Sequence, residues 1–135
     1  MSTEQDQAAM LPRPSSGPEL SGYTFDSYES EVSQWAAYPN AGGNLVYPAL
    51  GLVGEAGEVA EKVKKQWRNK GRMAAAYLSA DEKGQLAKEV GDVLWYAAAM
   101  ARELGFTFAQ IAAMNSAKLR DRAARNVIKS EGDNR

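Results

Sequence analysis

The sequence predicts an all-α protein. No run of period-two alternation is flanked by the turn pairs that would mark strands. Apolar residues recur instead at helical intervals in four segments. The boundaries carry helix punctuation: Ser79-Ala-Asp-Glu82 reads as a capping box, and Gly71 and Gly105 as C-terminal stops. The expected architecture is a helical bundle with two long central helices, its core completed by oligomerisation as a dimer or tetramer.

The elements follow in order. Residues 1–22, with Pro12, Pro14 and Pro18 among serines and glycines, read as a flexible leader ahead of one domain at 23–135. Thr24 or Ser27 caps a first helix that runs to Trp35 or Tyr38, with Phe25, Tyr28, Val32 and Trp35 at helical spacing. Pro39-Asn40 and Gly42-Gly43 end it. A second helix spans about Leu45 to Asn69. The 71–79 segment is a loop, partly helical through Ala-Ala-Ala-Tyr-Leu. A third helix runs from about Ala80 to Leu104, and Thr107 caps a fourth with Phe108, Ile111, Ala112 and Leu119 on one side. The tail Asn-Val-Ile-Lys-Ser-Glu-Gly-Asp-Asn-Arg reads as irregular.

Composition removes several function classes. The net charge of −1 gives no footprint for stable nucleic-acid binding. There is no cysteine, hence no disulfide or thiolate metal site, and no histidine, hence no imidazole base and no Glu-x-x-His di-iron centre. No apolar run reaches membrane-spanning length and the N-terminus lacks a signal-peptide core, so a cytoplasmic protein is expected.

Two stretches share an odd grammar. Leu52-Val-Gly-Glu55-Ala-Gly57-Glu58-Val59 and Leu86-Ala-Lys-Glu89-Val-Gly91-Asp92-Val93 both read Leu-x-x-Glu-x-Gly-(Glu/Asp)-Val. At roughly 100° per residue, Leu52, Ala56, Val59 and Val63 share one stripe, and Leu86, Val93, Ala97 and Leu104 another. Glu55 and Glu58 flank the first, Glu89 and Asp92 the second. Pairing the helices would gather four carboxylates at one edge of the core. Their mutual repulsion calls for a counter-charge, and a hard divalent cation suits an all-oxygen set: Mg²⁺, with Mn²⁺ as a substitute. Gly57 and Gly91 each cost about 1 kcal/mol in a helix interior. They fall on the far side from the acids, where they would permit close approach of another helix or a loop.

The run Gly51-Leu-Val-Gly-Glu-Ala-Gly-Glu-Val-Ala-Glu-Lys-Val-Lys-Lys65, then Lys88-Glu-Val-Gly-Asp-Val-Leu-Trp-Tyr96 and Asn115-Ser-Ala-Lys-Leu-Arg-Asp-Arg122, resembles the MazG-like family of all-α nucleoside triphosphate pyrophosphohydrolases over roughly residues 24–135. The carriers are Glu55-x-x-Glu58, Glu89-x-x-Asp92, Tyr96 one turn after the aspartate, and Asn115-x-x-Lys118. The chain departs from the family in a long spacing between the acid pairs and in Gly54, where many relatives carry glutamate. The resemblance implies Mg²⁺-dependent hydrolysis of a (deoxy)nucleoside triphosphate to monophosphate and pyrophosphate, serving nucleotide-pool clearance. The acids would hold the metal, with Glu55 or Glu58 taking a proton from the attacking water. Lys65, Lys118 and Arg122 would meet phosphate, and Asn115 the substrate. Tyr96 would pack at the core edge or touch sugar or phosphate, and Trp35 would face the base. The ending Gly-Asp-Asn-Arg135 resembles the tail of close relatives and would fold over a neighbouring site. Two alternatives stand beside this reading: a non-catalytic helical interaction module, and a related pyrophosphohydrolase acting on a phosphoribosyl nucleotide.

Overall fold

The computed structural model describes residues 18–71 and 74–125. The leader up to residue 17, the tail from residue 126 and the idea that Arg135 covers a neighbouring site lie outside the described residues. Among them are four α-helices and no strand: α1 (Phe25–Trp35), α2 (Val46–Lys70), α3 (Ala80–Glu103) and α4 (Phe108–Ala124), with one short 3₁₀ turn at Ala75–Tyr77 between α2 and α3. The all-α expectation holds.

Local chemistry sets each boundary. The Thr24 hydroxyl accepts from the Ser27 amide at 3.2 Å, so Thr24 is the cap of α1. The α2 start depends on Asn44, whose side-chain oxygen accepts from the Val46 and Tyr47 amides, both at 3.1 Å. Gly71 closes α2 in the left-handed conformation, with φ of 61°, which glycine adopts without steric cost. Ser79–Glu82 and Thr107–Gln110 form reciprocal capping boxes at α3 and α4.

α2 and α3 pack as the long central pair, and α1 and α4 pack on each other and on α3. The buried apolar core is Val32, Tyr38, Ala98, Ala99, Ala101 and Phe108, with Tyr28, Trp95 and Ile111 half-buried against it. This corrects the two predicted stripes. Leu52, Val59, Leu86, Val93 and Ala97 are only half-buried, while Ala56, Val63 and Leu104 are exposed. The centre of the core lies where α1 and α4 cover the C-terminal half of α3. Small alanines there let three helices converge.

Two carboxylates tie the frame. Glu103 accepts the Tyr38 hydroxyl at 2.5 Å and the Gly42 and Asn44 amides at 2.7 and 3.0 Å, so it fixes the α1–α2 loop to the end of α3. Its carboxyl is held below the usual range, first by the Tyr38 hydrogen bond; burial and Glu103 push the Tyr38 phenol up to about 12. At the other end of the α2–α3 pair, Glu82 takes bonds from Lys70, from Gln66 Nε2 at 3.0 Å and from the Ser79 amide at 2.9 Å.

These bonds, that from Lys70 first, hold the Glu82 carboxyl at about 2 rather than 4.5. A depressed folded-state pKa adds stability above the unfolded value and loses it as pH falls through the folded one. Glu82 therefore contributes fully above pH 4.5 and progressively less down to about 2. Thermal midpoints measured across that window should fall less steeply in Glu82→Gln than in the parent chain. Glutamine keeps the capping-box geometry and removes only the charge.

Candidate metal centre between α2 and α3

Antiparallel pairing brings the middle of α2 against the middle of α3. Glu55 from α2 and Glu89 and Asp92 from α3 each offer a carboxylate oxygen, and the three atoms lie within 4.8 Å of one another. Glu55 and Glu89 are half-buried and Asp92 is exposed. Glu58 is exposed and stands outside this group of three. The i,i+3 step turns it roughly 60° around α2, away from α3. Its charge is still felt: burial first, then Asp92, Glu89 and Glu58, raise the Glu55 carboxyl above the usual range.

Lys62 brings a cation to this group. Its Nζ lies 3.3 Å from Glu89 across the helix pair. Glu58 is its i,i+4 neighbour on α2, but the side chain crosses to α3 instead. Lys65, the expected phosphate ligand, pairs with Glu61 at 3.3 Å, and Glu61 also meets Lys64. These lysines hold the Glu61 carboxyl below its usual range, Lys64 first.

The site has two unlike shoulders. Toward the C-terminal end of α2, Lys62, Lys65, Gln66 and Gln85 help line a cavity of about 280 Å³ beside the 3₁₀ turn. Toward the other end, Trp35, Tyr38, Tyr47, Trp95 and Tyr96 border a shallow concavity of about 260 Å³. Tyr38 stacks on Tyr47 with ring centroids 5.0 Å apart and 10° between planes, and Trp95 meets Tyr96 edge-on at 5.0 Å. Trp35 is 72% exposed, at the rim. The Tyr96 phenol is pushed up, first by burial and then by Tyr47, Glu55 and Asp92.

Gly51 sets how closely the two helices approach. A Cβ there would overlap the Cδ1, Cε1 and Cζ atoms of Tyr96. Gly51 lies one turn before Glu55 and Tyr96 one turn after Asp92, so this contact positions the acids directly. No sequence expectation gave Gly51 a role. The predicted role of Gly57 and Gly91 needs correction: among the described residues, no atom of another helix or of a loop lies within 4 Å of a Cβ built at either.

The model of the MazG nucleotide pyrophosphohydrolase domain matches residues 48–126. The chain belongs to the MazG family. It is also 40% identical over 115 residues to the Gene 37 protein of Mycobacterium phage L5, covering 82% of this chain and 97% of that one. No solved structure matches it. The MazG match takes in α2, α3 and α4 and leaves α1 outside.

Within the MazG domain, the remaining expected substrate contacts lie on α4. Asn115 and Lys118 are exposed and Arg122 is half-buried there. The helix packs on α1 and α3. No helix of the described residues is long and apolar enough to cross a membrane.

The donor set fits a hard divalent cation. It is all carboxylate, the oxygens converge from two helices, and burial followed by the neighbouring like charges raises the Glu55 carboxyl. Lys62 offsets one of them only.

Proposed function

We propose that the chain hydrolyses (deoxy)nucleoside triphosphates to monophosphate and pyrophosphate with Mg²⁺, Mn²⁺ substituting, and that it serves to clear nucleotides from the pool. The observation that carries this reading is the convergence of Glu55, Glu89 and Asp92 within 4.8 Å across the central helix pair of a MazG domain. Magnesium held by these acids would supply charge neutralisation at phosphate oxygens and a water of lowered pKa.

The shoulders give the substrate a direction. Along α2 the order is Tyr47, Gly51, Glu55, Lys62, Lys65. The rise from Tyr47 to Glu55 is about 12 Å and from Glu55 to Lys62 about 10 Å. Aromatic faces suit a base and lysines suit phosphate oxygens. The base therefore lies toward Trp35, Tyr47 and Tyr96, the α-phosphoryl group at the acids, and the β- and γ-phosphoryl groups toward Lys62 and Lys65. Asn115, Lys118 and Arg122 complete the substrate contacts from α4.

A water oxygen bonds to the α-phosphorus, the α–β bridging P–O bond breaks, and pyrophosphate leaves. Glu55 or Glu58 receives the proton of the attacking water, and Glu58, exposed one turn beyond Glu55, would swing toward the three acids to serve as a fourth ligand.

Incubation with each nucleoside triphosphate and Mg²⁺, followed by chromatography, should yield pyrophosphate and monophosphate. Chelation of the metal should stop the reaction. Orthophosphate with nucleoside diphosphate would contradict the assigned bond. A panel that includes phosphoribosyl nucleotides would fix the substrate class.

A further inference from the structure

Glu89 serves two partners. One of its carboxylate oxygens belongs to the group of three that converges within 4.8 Å across α2 and α3. Its Oε1 also holds Lys62 Nζ, at 3.3 Å. An ammonium and a divalent cation repel each other and draw on the same carboxylate, so the two interactions oppose one another. Lys62 has a second place to go. Its side chain also lines the cavity of about 280 Å³, together with Lys65 and the amides of Gln66 and Gln85. Gln66 lies one turn beyond Lys62 on α2, and Gln85 one turn before Glu89 on α3, so the cavity adjoins the Lys62–Glu89 pair. Glu82, an acid on that wall, is taken by Lys70, Gln66 and the Ser79 amide, and Lys65 pairs with Glu61.

Nothing locks the pair. The Lys62 side chain is 36% exposed and that of Glu89 21%, and a lysine's flexible four-carbon stem lets its charge swing between neighbouring partners. We infer that Lys62 is an exchange residue: it yields Glu89 to a divalent cation and turns into the cavity, where its ammonium meets the phosphate oxygens of the leaving pyrophosphate. The phosphate half of this inference rests on the hydrolase reading; the competition for Glu89 does not. Each ligand then favours the other. Displacement from Glu89 frees Lys62 for phosphate, and phosphate draws Lys62 off Glu89, so the coupling is reciprocal. Lys62 thereby weakens cation binding at the acids until a phosphate ligand arrives.

Mn²⁺ affinity measured without nucleotide tests the competition apart from any activity. Lys62→Met should bind Mn²⁺ about 5- to 10-fold more tightly than the parent, because a positive charge leaves the acids. Lys62→Arg keeps that charge and should bind no more tightly than the parent. Lys64→Met removes an equal charge from the Glu61 pair instead and should stay within about 2-fold of the parent. Acetic anhydride labelling, read by mass spectrometry on the folded chain, follows the amine itself. Mg²⁺ alone should raise the labelling of Lys62, and Mg²⁺ with inorganic pyrophosphate should lower it again, while Lys64 stays constant. Glu89→Gln should show the high Lys62 level before any Mg²⁺ is added. Mn²⁺ binding in Lys62→Met no tighter than in the parent, or Lys62 labelling indifferent to Mg²⁺ or to pyrophosphate, would overturn the inference and leave the hydrolase reading intact. A parent chain that shows the Mn²⁺ effect yet releases no pyrophosphate from any triphosphate would sink the hydrolase reading and leave the competition for Glu89 standing.

Discussion

Asp92→Asn should lower kcat/KM by on the order of 100- to 1,000-fold, equivalent to about 3–4 kcal/mol of transition-state stabilisation. The exchange keeps the shape of the side chain and removes one of three converging anionic oxygens. Asp92 is exposed, so stability should stay within about 0.5 kcal/mol of the parent, and relief of repulsion on Glu55 acts in the favourable direction. The check is steady-state turnover beside thermal melting. A variant that melts like the parent and also turns over like it would remove Asp92 from the chemistry.

Gly51→Ala is the second large effect. The new Cβ would overlap the Tyr96 ring, which is itself held by Tyr47 and Trp95. Overpacking of this kind costs about 1–3 kcal/mol, and alanine's helix propensity returns about 1 kcal/mol of it. Relief requires α2 and α3 to separate or Tyr96 to turn out, and either displaces Glu55 from Asp92. A shift of about 1 Å costs on the order of 100-fold in rate. Gly91→Ala is the control: with open space around it, it should gain about 0.5–1 kcal/mol. Melting and turnover measured on both separate the loss of a close contact from the general effect of replacing a helical glycine.

How far the sequence could be read follows the range of the interactions. Helix ends were legible because Thr24, Ser79, Thr107 and Gly71 act within a few residues of themselves. The α2 start, expected near Leu45, falls at Val46, but the Asn44 side chain that meets its first amides was not foreseen, since Glu103 holds that loop from the far end of α3. The alanine core at Ala98, Ala99 and Ala101 was missed because alanine carries little periodic signal, and only the placement of α1 and α4 decides that it is buried. The acid grammar placed Glu55, Glu89 and Asp92 together. It gave Glu58 the same flank, whereas Glu58 is exposed and stands outside the group of three. Lys62 and Gly51 take their importance from Glu89 and Tyr96 on the other helix, and nothing local to α2 announces either.

Mn²⁺ binding followed by electron paramagnetic resonance tests most directly whether these acids act as one cation site. The parent chain should take up Mn²⁺, and Glu55→Gln and Asp92→Asn should each weaken uptake at least about 10-fold, since each removes one charged oxygen ligand. Equal affinity in all three proteins would contradict a shared metal site between α2 and α3.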